Sequence, residues 1–257
     1  MTLLNCIESS KDKDNNLYGC FLIEPLETGQ GITLGNALRR TLLSDLTGFS
    51  ITGVRLNNLK HEFSIVEGVR EDILEILLNL KQIIFKVSFH EEPKNQKLKG
   101  YLNVKGPLIV TAGMFFLPKN KIKIINPNQY ICTIVDESEF HLEIDIEKGI
   151  GYKLTEENIK KKCEEKLFQS KPTTLLIDAV FIPIKKVNYK IKLIHDTKGN
   201  IKESLCLEVT TNGSLTPKRA INEALKILLS LFYPLLVNSQ FLKLSHELGN
   251  KIEKINK

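Results

Sequence analysis

The chain contains no Cys-x-x-Cys pair. Its five cysteines, Cys6, Cys20, Cys132, Cys163 and Cys206, are scattered through 257 residues, a pattern that argues against a short-spaced zinc or redox motif. The odd count and the absence of a secretory-type leader point to thiols kept reduced. Cys20, Cys132 and Cys206 lie in apolar, strand-like runs and are expected in the core. The five histidines, His61, His90, His141, His195 and His246, stand at no metal-ligating spacing. No Gly-x-Ser-x-Gly elbow exists, and no unbroken apolar run reaches the roughly 20 residues that a membrane helix needs. The expectation is a chain with no catalytic, cofactor or metal residues and no membrane partner.

Composition is ordinary for one large domain or two small ones, with 42% hydrophobic and 26% charged residues. The net charge of +6 comes from dispersed lysines, which reads as a solvated surface before it reads as a phosphate-facing patch.

The organising stretch is Glu24 to Leu46, EPLETGQGITLGNALRRTLLSDL. Leu34, Ala37, Leu38, Thr41 and Leu42 recur at helical spacing, with Thr33 as a candidate cap. Arg39 and Arg40 fall about 100° apart on the helix circumference and outside the apolar stripe. Gly29, Gly31 and Gly35 lack the dinucleotide spacing, and no Gly-Lys-Ser/Thr follows. They predict a sharp strand-to-helix turn and close helix packing.

Before this stretch, Tyr18 to Ile23 is strand-like and Pro25 is expected to end it. After it, Gly48 to Leu56 reads as a strand. A second helix is expected to open at Gly68, its apolar side formed by Val69, Ile73, Leu74, Ile76, Leu77 and Leu80. Glu71 and Glu75 are placed on its exposed side. The middle of the chain is β-rich, and Phe140 to Glu147 alternates between an apolar row and a charged row expected to be solvated. Thr155 to Lys171 reads as a charged connector. Leu175 to Ile184 and Val187 to Ile194 are expected strands. Leu205, Leu207 and Val209 mark another strand, and Asn212-Gly213 the turn after it. Thr216-Pro217 opens a helix running to Tyr233, with Ala220, Ile221, Ala224, Leu225, Leu228, Leu229 and Phe232 on one wide side. Pro234 is expected to interrupt it before a last short helix carrying Phe241, Leu242, Leu244 and Leu248. Apolar sides this broad suggest a second copy of the chain as partner.

Four blocks, GITLGNALRRTLL, HEFSIVEGVREDILEILLNLK, LLIDAVFIPIKKV and VTTNGSLTPKRA, resemble in order the N-terminal assembly region of RNA polymerase alpha subunits, most closely the plastid-encoded type. The resemblance implies an α+β fold: a split dimerisation domain (antiparallel sheet with packed helices), residues 17–46 plus 173–236, carrying an inserted mostly β domain, residues 47–172, that contacts large subunits. Residues 237–257 would be a tail without the family's C-terminal DNA-binding domain. The implied function is non-catalytic: the chain homodimerises, and the dimer receives beta and beta-prime type subunits of a DNA-dependent RNA polymerase. DNA would be reached only through the assembled enzyme.

By matching positions, Arg39, Arg40, Glu67, Gly68 and Val69 would contact a large subunit. Leu34, Leu38, Leu42, Leu225, Leu228, Leu229 and Phe232 would line the dimer interface. Met114 stands where the family usually has an acidic residue, and Ile32 where it has a more polar one. The implied location is a plastid, with synthesis there because no transit-like segment is present. The alternative location is the bacterial cytoplasm, and the alternative function a free-standing basic nucleic-acid-binding protein.

Overall fold

A computed structural model describes residues 3–56, 65–87, 97–118, 122–155, 174–195 and 199–255, with side chains described as far as residue 237. Cys163 and most of the predicted Thr155 to Lys171 connector lie outside these residues. So do the side chains predicted for a final short helix.

One antiparallel sheet joins the two ends of the chain. Its order is β1 (Leu3–Lys11), β2 (Leu17–Leu26), β14 (Ile201–Thr211) and β13 (Ile184–His195). Phe21 and Ile23 of β2 and Leu205, Leu207 and Val209 of β14 point to one side. There they form a core with Leu38 and Leu42 of α1 (Gln30–Ser44) and Ala220, Ile221 and Ala224 of α3 (Pro217–Ile255). Alternation at period 2 in the strands meets a 3.6-residue stripe on each helix.

A second core occupies the middle of the chain. β3 (Thr47–Leu56), β9 (Glu139–Ile150) and β5 (Leu98–Lys105) form a sheet with the two-residue β11 (Leu175–Leu176) at its edge. Phe140, Leu142, Ile144 and Ile146 of β9 pack there with Ile73, Ile76, Leu77 and Leu80 of α2 (Ile73–Lys81). Three small ribbons complete this part: β4 (Phe85–Val87) with β7 (Ile122–Ile124), β6 (Leu108–Thr111) with β8 (Tyr130–Ile134), and β10 (Tyr152–Lys153) with β12 (Ala179–Val180). The structure is α+β with antiparallel sheets.

Several elements differ from expectation. β2 runs through Pro25 to Leu26, because the ladder to β14 shifts register between Glu203 and Leu205 and Pro25 is not among its paired positions. The predicted strand at Leu175 to Ile184 is broken: β11 pairs with β3, whereas β12 pairs with β10. Between them Asp178 accepts hydrogen bonds from Thr155 and Tyr152.

The charged row of β9 is not simply solvated. Asp145 is buried, and Arg55 bridges Glu143 at 2.9 Å and Asp145 at 2.8 Å. Lys99 adds a 2.6 Å contact to Glu143.

Pro234 does not end α3, which continues to Ile255. A proline removes one helical hydrogen bond and crowds one carbonyl, a cost of about 3 kcal/mol, and the helix nonetheless runs on through it. By length and composition alone the stretch Pro217–Val237 would suffice to cross a membrane, with a mean hydropathy of 1.5. The unbroken helix thus qualifies the inference drawn from uninterrupted apolar runs. Lys218, Arg219, Glu223 and Lys226 punctuate this stretch, and its first turns are packed in the core through Ala220, Ile221 and Ala224.

Candidate functional site

α1 is seated by glycine. Gly29 adopts φ +88 in the left-handed region and precedes the helix without a side-chain cap of its own. Thr33 does not cap: its hydroxyl donates back to the Gly29 carbonyl at 3.2 Å. The capping group is Glu203 of β14, which accepts from the Gly29 N–H and the Gly31 N–H, each at 2.8 Å. A carboxylate here satisfies two otherwise free donors and lies at the positive end of the helix dipole.

Gly31 and Gly35 lie inside the helix rather than before it. A Cβ on Gly31 would come within 2.7 Å of the Glu203 carboxylate, and one on Gly35 within 2.8 Å of the Tyr189 ring. Tyr189 also donates to Asn36 Oδ1 at 2.8 Å. The helix therefore lies directly on β13 along Gly31, Gly35, Leu38 and Leu42. Arg39 and Arg40 are consequently exposed, and neither guanidinium has an ion-pair or hydrogen-bond partner among the described residues.

The seven residues expected at a dimer interface divide. Leu38 and Leu42 are 0% exposed. They belong to the protomer's own core and have no surface left for a second copy, because the glycine seat turns that stripe onto the sheet. Leu34, Leu225, Leu228, Leu229 and Phe232 come together, with Ala37, along an open groove of about 800 Å³ between α1 and α3. Leu229 is 65% and Phe232 57% exposed. Beyond the groove, Leu231, Tyr233, Leu235 and Leu236 are also exposed, so α3 is apolar over more than half its circumference at this level.

Glu67, Gly68 and Val69 form a turn ahead of α2 rather than its first turn. Gly68 has φ +77, a conformation that favours glycine, and its carbonyl accepts from Val135 N–H at 2.8 Å. Val69 bridges to Ile134, and Arg70 N–H donates to the Thr133 carbonyl at 3.0 Å. Glu71, expected on an exposed helical side, is buried. Its carboxylate accepts from the Tyr130 hydroxyl and from Thr133 N–H at 2.6 Å. Burial pushes the Glu71 carboxyl up, but these two donors, its own backbone N–H and the nearby Arg70 charge together hold the group below the usual glutamate range. The buried anchor fixes the turn that presents Glu67 to solvent.

Sequence reasoning missed a further surface. Leu74 and Leu78 of α2 are exposed, and Leu74, Leu78 and Lys81 share one helical side. Lys81 Nζ lies 5.6 Å from the Tyr152 ring centroid and 4.0 Å from Asp178 Oδ2, beside the exposed Val180. Periodicity alone groups Leu74 with the apolar core side, whereas the fold leaves it exposed. The i, i+4, i+7 spacing was the available signal. Met114, which stands where the family usually has an acidic residue, packs partly buried against the central core. No group of three or more potential metal ligands occurs among the described residues.

The fold is α+β, with antiparallel sheets and with exposed apolar and cationic side chains on its helices. Residues 54–182 match the family model described as the RNA polymerase Rpb3/RpoA insert domain. The chain is 46% identical over 253 residues, 98% of its length, to the DNA-directed RNA polymerase subunit alpha of Gracilaria tenuistipitata var. liui, covering 76% of that protein. It is 45% identical to the subunits of the same name from Pyropia yezoensis and Trichodesmium erythraeum (strain IMS101), covering 69% of each. The chain belongs to the DNA-directed RNA polymerase alpha-subunit family.

Proposed function

We propose that the chain is the assembly subunit of a multisubunit DNA-dependent RNA polymerase. Two copies pair through the α1–α3 groove, and the dimer receives beta and beta-prime type catalytic subunits. The dimerisation domain comprises residues 17–46 and 173–236, and the mostly β insert, residues 47–172, meets the large subunits. The observation that carries this reading is the groove itself. Leu34, Leu225, Leu228, Leu229 and Phe232 leave an apolar surface open that a second copy of the same two helices would cover.

Arg39 and Arg40, exposed and without a partner among the described residues, supply cationic groups for acidic or backbone acceptors on a large subunit. The turn Glu67–Val69, held by Glu71, is assigned to the same partner. The exposed Leu74, Leu78 and Val180 add apolar docking surface on the insert. Relatives from Gracilaria tenuistipitata, Pyropia yezoensis and Cyanophora paradoxa support a plastid location; the relative from Trichodesmium erythraeum keeps the bacterial cytoplasm as the alternative. The comparisons give no support to a free-standing nucleic-acid-binding protein.

The test is sedimentation of the purified chain, followed by co-purification with large subunits. The wild type should sediment as a dimer and retain both large subunits. A stable monomer that still assembles a stoichiometric polymerase would refute the reading.

A further inference from the structure

The five cysteines show no redox spacing in sequence, yet the fold brings two of them into contact. Cys20 Sγ and Cys206 Sγ lie 3.2 Å apart although 186 positions separate them in the chain. Cys20 stands opposite Glu208 and Cys206 opposite Leu22, which makes the thiols diagonal neighbours across the β2–β14 ladder. Both lie on the side of the sheet away from α1 and α3, since the alternate residues Phe21, Leu205 and Leu207 fill the helix-side core. Cys20 is nearly enclosed at 8% exposure, while Cys206 is partly open. A disulfide needs about 2.05 Å between sulfurs, so each sulfur would move by about 0.6 Å from the observed contact.

We propose that Cys20 and Cys206 are a redox-active dithiol, oxidised to an intramolecular disulfide by a small-molecule disulfide of the glutathione type. The more open Cys206 thiolate attacks one sulfur of glutathione disulfide and forms a mixed disulfide, releasing the first glutathione as thiolate. Cys20 gives its proton to solvent base, attacks Cys206 Sγ and expels the second glutathione. Two protein thiols are oxidised and one glutathione disulfide is reduced to two thiols, so electrons and atoms balance. Burial, the contact with Cys206 and the nearby Glu208 and Glu8 push the Cys20 thiol up to about 11. Entry therefore falls to Cys206, and Cys20 is the resolving thiol, acting at contact distance.

Neither of the other described cysteines stands opposite Cys20 or Cys206 in the sheet. Cys132 is fully buried, its thiol pushed up to about 12 by burial. Cys6 lies on the edge strand, in register with Phe21 rather than Cys20.

The bond would join the strand that leads into α1 to the strand that leads into α3. It closes a loop spanning most of the chain and so restricts the unfolded state strongly. The disulfide acts as a staple between the two chain ends that build the sheet, and it does not depend on which partners the protein binds.

The test treats the reduced full-length chain with glutathione disulfide under native conditions and reads intact mass, peptide maps and melting temperature. The expected result is loss of two hydrogens with a Cys20–Cys206 peptide link, and a melting temperature higher by on the order of 5 °C. Cys20→Ala should stop at a stable glutathione adduct on Cys206. Cys206→Ser should leave Cys20 unmodified. A glutathione adduct that persists on Cys206 of the wild type, or a link of Cys20 or Cys206 to any other cysteine, would overturn the proposal. A Cys20–Cys206 link without a rise in melting temperature would overturn the staple.

Discussion

Glu203 on β14 closes the first turn of α1 by accepting from Gly31 N–H at 2.8 Å across 172 residues of sequence. The second carboxylate oxygen takes the Gly29 N–H. Helix ends are usually capped by a neighbour in sequence; here the cap comes from the far end of the chain. Docking α1 and completing its hydrogen bonds are therefore one event, and the arginine pair is oriented only once β14 is in the sheet.

Removing that carboxylate should destabilise the fold. Glu203→Ala leaves the buried Gly31 N–H and the more open Gly29 N–H without this acceptor, a loss of about 1–3 kcal/mol that falls mainly on Gly31, read as a lower urea midpoint at unchanged slope. Glu203→Gln keeps one acceptor oxygen and should lose less. Gly31→Ala should be comparable to Glu203→Ala, because its methyl would press on the same carboxylate at 2.7 Å and on Ile191 at 3.3 Å. An unchanged midpoint for both Glu203→Ala and Gly31→Ala would remove the cap from the account.

Acid should weaken the protein through a defined set of carboxylates. Burial raises Glu71, Glu143 and Glu147, but donors outweigh it: Tyr130 and Thr133 at Glu71, Lys99 and Arg55 at Glu143, Lys97 at Glu147. Thr155 holds Asp178 low as well. Folded values below unfolded values mean stability that is fully present above the unfolded range, about 3.9–4.3. That stability is lost as pH falls through the folded values. Melting temperature is thus expected to change little from pH 7 to about 5 and to fall below about 4. Glu71→Gln should melt below wild type at pH 7, with the gap narrowing as acid removes the wild-type advantage. A gap independent of pH would show that Glu71 does not contribute as an anion.

The arginine pair is predicted to matter to assembly and not to folding. Both side chains are exposed, so Arg40→Ala and Arg39→Ala should shift stability by no more than about 0.5 kcal/mol. Arg40→Ala should leave the dimer intact and reduce recovery of the beta-type subunit in co-purification. Normal stoichiometry would show that this guanidinium is not a docking group.

Much of the plan was legible because it rests on local periodicity. The stripe of α1, the alternation of β9 and the Pro217 start of α3 each follow from residues close in sequence. What was not legible came from contacts between distant residues. Nothing near Thr33 reveals that Glu203 provides the cap, and nothing near Glu71 reveals that Tyr130 and Thr133 bury it. The apolar periodicity extends back to Gly68, but the Gly68 turn and the Val69–Ile134 bridge hold that segment outside α2. The same cause misplaced part of the candidate site. Leu38 and Leu42 share a stripe with Leu34, and only the glycine contact with β13 shows which end of the stripe is enclosed.

That division of the stripe makes the interface separable from the core. Leu229→Asp and Phe232→Asp place a charge where the proposed dimer excludes water, yet both side chains are mostly exposed in the protomer. Each should convert the dimer to monomer while the protomer keeps its secondary structure. Leu38→Ala opens a cavity in the protomer's own core and should cost about 2–5 kcal/mol, whether or not the chain is paired. Sedimentation and urea unfolding of the three variants, each at two protein concentrations, would distinguish the two effects. The aspartate variants should lose the concentration dependence expected of a dimer, and Leu38→Ala should retain it at a lower midpoint. Aspartate variants that remain dimeric would move the interface away from the α1–α3 groove and leave that apolar surface to another partner.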